Sequence, residues 1–153
     1  LVLVGTAYPM KVSPALLESA LSEPEKALHM VNVFSRCSLA SPSGAGFWVF
    51  GAGMALGRKV LRSNPMVNVF HRGFNACNTY ANGEQAMAQV SCPVLFALGE
   101  QDQMTPAKAA QTLVKAAQAA GKAVQVRHLP SGHHQMTEAP EETLAALRDF
   151  LAQ

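Results

Sequence analysis

Apolar residues run along the chain in three short blocks. Leu1-Val2-Leu3-Val4 is continuous and closes on Gly5, and Val94-Leu95-Phe96-Ala97-Leu98 sits between Pro93 and Gly99. A short, unbroken apolar run that stops at glycine predicts a strand buried on both faces, here over residues 1–5 and 93–99. The third block, Val124-Gln125-Val126-Arg127-His128-Leu129, alternates and predicts a strand nearer a sheet edge.

Elsewhere the apolar positions recur at helical spacing. Ser13-Pro14 pairs a capping residue with a proline suited to the first helical position, and Leu17, Ala20 and Leu21 follow on one face. Ser22-Glu23-Pro24-Glu25 has capping-box spacing, and Ala27, Leu28, Val31 and Phe34 continue the period. Ser41-Pro42-Ser43-Gly44 predicts a loop, residues 47–62 a third helix, and Asn64-Pro65 the start of a fourth. Asn82-Gly83 is a turn signal that closes this region. Thr105-Pro106 opens a further helix with Ala110, Leu113, Val114 and Ala117 on its apolar face and Lys108, Gln111, Lys115 and Gln118 opposite. Gly121 stops it. Pro140 opens the last helix, with Glu141 and Glu142 in its first turn and Leu144, Leu147 and Leu151 as its expected buried stripe.

The order is strand, helical stretch, strand, helix, strand, helix. Strands that alternate with helices imply an α/β protein with a parallel sheet. At 153 residues the chain is one domain.

Composition sharpens this picture. The chain is 49% hydrophobic and only 14% charged, against about 25% charged in an ordinary domain. Such a deficit is expected where part of the surface packs against further protein. So is a first residue, Leu1, that falls inside a strand. Both readings lead to the expectation that a preceding N-terminal part of the same domain is a partner of this chain. A net charge of +2 with no basic cluster gives no footprint for nucleic acid or for an acidic membrane surface. The apolar run from Ala45 to Gly57 ends at Arg58-Lys59, short of the ~20 residues a spanning helix needs. Cys37, Cys77 and Cys92 are three and widely spaced, which suits buried thiols in a reducing, cytoplasmic setting better than a disulfide framework.

The polar residues that could do chemistry lie just after two of the expected strands. Residues 93–99 lead into Glu100-Gln101-Asp102-Gln103-Met104-Thr105-Pro106, and residues 124–129 into Pro130-Ser131-Gly132-His133-His134. Open α/β sheets carry their functional loops at the carboxyl ends of strands. A carboxylate bonded to one imidazole nitrogen fixes the tautomer and frees the other nitrogen as a base.

These stretches resemble the α/β-hydrolase superfamily. Cys92 to Pro106 is similar to its penultimate strand and acid turn, with Gly-x-x-Asp-x-x-x-Pro. Leu129 to Leu151 is similar to its histidine loop and closing helix, with Gly-His, Glu138 and Pro140. Leu1 to Ala7 resembles the strand that precedes a cap insertion. The resemblance implies the C-terminal part of such a domain over 1–153: a partial doubly wound parallel sheet, with residues 11–90 as a helical cap. It makes Asp102 the triad acid, ahead of Glu100, and His133 the base, ahead of His134. The loop Gly5-Thr6-Ala7-Tyr8 offers no competing carboxylate.

No Ser or Cys lies in a Gly-x-Ser-x-Gly turn, so the nucleophile is expected upstream of Leu1 and this chain alone is expected to be inactive. The implied activity is hydrolysis of a carboxylic ester or similar acyl bond in a small molecule, without a cofactor. The alternatives are epoxide, lactone or C–C bond hydrolysis, or a ligand-binding member of the fold. Asp102, His133, His134 and His71 lack metal-site spacing, so no metal is expected. By position, Met10, Met104 and Met136 are candidate substrate contacts. Phe47, Trp48, Phe50, Phe70 and Phe74 are expected in the core of the cap.

Overall fold

The structure, a computed structural model, describes residues 1–37 and 49–153. The loop expected at Ser41–Gly44 and the side chains of Phe47 and Trp48 lie outside the described residues. Three strands, β1 (Val2–Val4), β2 (Val94–Gly99) and β3 (Val124–Leu129), are joined by helical segments. These are α1 (Pro14–Ser22), α2 (Pro24–Phe34), α3 (Val49–Ser63), α4 (Val69–Thr79), α5 (Gly83–Gln89), α6 (Gln111–Ala119), α7 (Gln135–Glu138) and α8 (Pro140–Leu151). The described residues fall into two units. One comprises Leu1–Pro9, Ser35–Cys37 and Ala81–Gln153, and the other Met10–Phe34 with the described part of Ser38–Tyr80.

The first unit is built on a parallel sheet in the order β1-β2-β3, with Leu3 opposite Phe96 and Phe96 opposite Val126. All of β2 is buried. Val94, Phe96 and Leu98 pack with Met87 of α5 and with Leu113, Val114 and Ala117 of α6. Leu95 and Ala97 point the other way and are equally buried, and α8 packs against β2 and β3. Helices therefore cover both faces of the strand, which is why it reads as one apolar run.

The apolar runs at 1–5, 93–99 and 124–129 do form parallel strands, but β1 is less buried than its sequence suggests. Val2 and Leu3 are half-buried and Val4 is 37% exposed. Among the described residues β1 has a strand on one side only, which leaves its other edge uncovered. The last helix also turns differently. Leu144 and Leu151 are exposed, while Thr143 and Ala146 are buried. The small side chains let the helix approach closely. The Thr143 hydroxyl is satisfied by the carbonyls of Ala139 and Gln135, which lets a polar residue replace leucine there.

The second unit packs α2 against α1 and α3, and α1 against α4. Here too the details depart from the periodicity. The Ser22 hydroxyl bonds back to Glu18 O inside α1 instead of opening α2, and Leu21 is exposed while Leu16 and Ser19 are buried. The start expected at Asn64-Pro65 moves to Asn68. Asn64 Oδ1 caps Met66 N in a turn, and Asn68 Oδ1 takes the His71 N–H that begins α4. Of the helical stretch expected over 11–90, α5 groups with the sheet, against α6. No described helix is long and apolar enough to cross a membrane.

Candidate active site

Both loops of interest belong to the first unit, and two glycines allow them to meet. A Cβ on Gly99, the last residue of β2, would lie 2.3 Å from Gly132 O and 2.7 Å from Ser131 O. These are backbone atoms that cannot swing away, so only glycine fits beneath the histidine loop. A Cβ on Gly132 would meet Cys37 N at 2.6 Å and Glu138 Oε2 at 2.9 Å. The Gly of Gly-x-x-Asp and the Gly of Gly-His thus serve one purpose, a close approach of three backbone segments.

Asp102 follows Gly99 in a tight turn. Its Oδ1 accepts the N–H groups of Met104 at 2.9 Å and Thr105 at 2.8 Å, which folds the turn around the carboxylate. Its Oδ2 lies 2.9 Å from His133 Nδ1. The Asp102 side chain is fully buried, whereas that of His133 is 35% exposed. Burial alone would raise the Asp102 carboxyl, but hydrogen bonds from His133 and Thr105 outweigh it and hold the group below its ordinary range. A carboxylate can only accept, so the proton in this contact sits on His133 Nδ1. His133 Nε2 has no hydrogen bond among the described residues.

The histidine loop is fastened by a strap of three residues, Ser35–Cys37, that belongs to the sheet unit although Phe34 before it does not. The His133 N–H donates to Ser35 O at 2.8 Å. Glu138 takes Gly132 N–H on Oε2 at 2.8 Å and Cys37 N–H on Oε1 at 2.9 Å. His134 Nε2 lies 3.1 Å from Ser35 Oγ. Burial, then the charges of Arg36 and His133, push the His134 imidazole down. Burial, then the Glu138 charge, push the Cys37 thiol up.

Asp102 and His133 are therefore brought together, and Glu100 and His134 are not part of the contact. Met104 is half-buried and gives its N–H to Asp102. Met136 is 67% exposed on α7. Met10 lies in the second unit, half-buried. The sequence pattern does not single out the supporting residues Thr105 and Ser35–Cys37. Thr105 reads in sequence as a helix start, and nothing in the strap's composition marks it. Glu138 is visible only as part of a spacing.

A parallel sheet whose central strand is covered on both faces, with a buried acid and a histidine at adjoining strand ends, places the chain in the α/β-hydrolase fold class. The sequence model of the dienelactone hydrolase family matches residues 21–149, and the chain belongs to that family. No curated protein matches it. Among solved structures, a thermophilic esterase is similar with a TM-score of 0.73 and 25% identity, over 99% of this chain and 55% of that one. An esterase from Exiguobacterium antarcticum has a TM-score of 0.72 at 14% identity, over 100% and 57%. An N-acyl homoserine lactone degrading enzyme has a TM-score of 0.68 at 15% identity, over 97% and 56%. The chain spans little more than half the length of each.

Proposed function

We propose that this chain carries the acid and base of a Ser-Asp-His triad, and that the intact protein hydrolyses a carboxylic ester or similar acyl bond of a small molecule. The observation that carries the reading is the 2.9 Å contact of a buried Asp102 with a part-exposed His133. Asp102 holds Nδ1–H, fixes the tautomer and steadies the imidazolium when it forms. Nε2 is left to take the proton of a serine hydroxyl and return it to the leaving group. No cofactor enters this chemistry.

The serine and the oxyanion donors are placed in a segment N-terminal to β1, consistent with the half-length coverage of the esterase structures. The helical unit is proposed as a cap. Met104 and Met136, flanking the acid and the base, and Met10 on the helical side, are the proposed apolar contacts to substrate. A lactone is an ester closed into a ring, so the family's name and the lactone-degrading structure favour lactones as a second substrate class by the same steps.

The test is turnover of an activated ester and a lactone by the intact protein, by this chain alone, and by the intact protein with His133→Ala. The reading requires activity in the first only. Saturable turnover by the chain alone would place the nucleophile within it, and an intact protein indifferent to His133→Ala would remove the base. Binding of esters without turnover would leave a ligand-binding protein.

A further inference from the structure

One hydroxyl touches the acid, the histidine and the end of β1 at once. Thr105 Oγ1 lies 2.6 Å from Gly5 O, 2.9 Å from Asp102 Oδ2 and 3.0 Å from His133 Nδ1. Thr105 is 8% exposed. A threonine hydroxyl has one proton to give and two lone pairs. Gly5 O and the carboxylate can only accept, so the proton goes to one of them. His133 Nδ1 carries its own hydrogen and shares it between Asp102 Oδ2 and Thr105 Oγ1.

We infer that Thr105 is a positioning residue for the proposed acid–base pair, its hydroxyl tying the imidazole and the carboxylate to the end of β1. The inference rests on the roles proposed for Asp102 and His133. Asp102 alone fixes Nδ1 along one line and leaves the ring free to tilt about it. The second contact, from an oxygen anchored on the Gly5 carbonyl, removes that freedom. It also links the ring to the strand exit at Gly5, a part of the sheet that neither the acid turn nor the histidine loop supplies. The backbone N–H of Thr105 already closes the turn on Asp102 Oδ1, so what the side chain adds is a constraint on Asp102 Oδ2 and on the ring.

Thr105→Val keeps the shape and removes the hydroxyl, and Thr105→Ser keeps the hydroxyl and removes the methyl. In the intact protein, at a temperature where both variants are folded, Thr105→Val should lower kcat on the order of tenfold and leave KM within about twofold. Thr105→Ser should recover most of that loss. The downfield proton resonance of His133 Nδ1–H should persist in the serine variant and broaden by exchange with water in the valine variant. A valine variant with full kcat, or a serine variant as impaired as valine, would overturn the inference, since Thr105 would then act through packing alone. In the same assay His133→Ala must abolish turnover. If it does not, the acid–base reading fails first, and the threonine result is judged on the resonance alone: persistence in the valine variant refutes the tie.

Discussion

The Glu138 carboxylate holds the N–H of Gly132 at 2.8 Å, one residue ahead of His133. Its other oxygen holds Cys37 N–H. Two charge-assisted bonds from one side chain make Glu138 the clasp of the histidine loop.

Glu138→Gln should therefore do two separable things. It presents an amide N–H₂ to a backbone donor in place of an acceptor, and is expected to cost about 1–3 kcal/mol of stability, read from urea denaturation. It also removes the charge that helps raise the Cys37 thiol. With Cys77 and Cys92 changed to serine, alkylation of Cys37 should shift to lower pH in the glutamine variant. An unchanged alkylation profile would mean that burial alone sets the thiol.

Gly99→Ala is expected to be far worse than a surface alanine substitution. The added methyl would press on the carbonyls of Gly132 and Ser131, so the strand end and the loop must separate. A loss of about 2 kcal/mol or more is expected, together with loss of the Asp102–His133 contact. The thermal midpoint and the His133 Nδ1–H resonance report the two effects. A variant that kept both would show that the loop has slack.

Asp102→Asn should reduce turnover of the intact protein by roughly 10⁴, because the amide favours the wrong tautomer of His133. Its effect on stability should depend on acidity. The folded carboxyl lies below its ordinary range, so its contribution is complete above the unfolded value of about 3.9. It is lost as pH falls through the depressed folded value. The gap in urea midpoint between the parent chain and Asp102→Asn should be constant near neutrality and close below about pH 4. A gap that widened there would reverse the sign.

His134 should give a second acid-sensitive step at higher pH. Its imidazole is pushed below the ordinary value of about 6.5, so the folded state favours the neutral ring. That contribution is present above about pH 6.5 and is lost as pH falls through the lowered folded value. His134→Gln should flatten the dependence of the urea midpoint between pH 7 and 5 without abolishing ester turnover, which separates it from its neighbour His133.

Much of this was legible in the residues because it rests on local rules. A strand covered on both faces must be apolar throughout, so 93–99 announces β2. A strand end approached by another backbone needs glycine, so Gly99 and Gly132 mark the acid turn and the histidine loop. The side of a helix that packs closely is less legible. Thr143 can be buried only because two carbonyls receive its hydroxyl, and those carbonyls come from α7 and the turn after it. The burial of β1 depends on neighbours that its own residues do not specify. Ser35–Cys37 is invisible for a different reason. It holds Glu138 and the His133 N–H through backbone N–H and C=O groups, which every residue carries.

That strap also sets an order of events during synthesis. Cys37 waits for an acceptor 101 residues later in the chain. At about 5–20 residues per second, that is roughly 5–20 s on the ribosome. Through that interval the histidine loop does not yet exist. The acid turn can form as soon as β2 emerges, but its partner ring is set only after residue 138. A nascent chain stalled before that residue should thus hold Asp102 in its turn with no imidazole against it, and release of a few more residues should close the strap and seat His133 in one step.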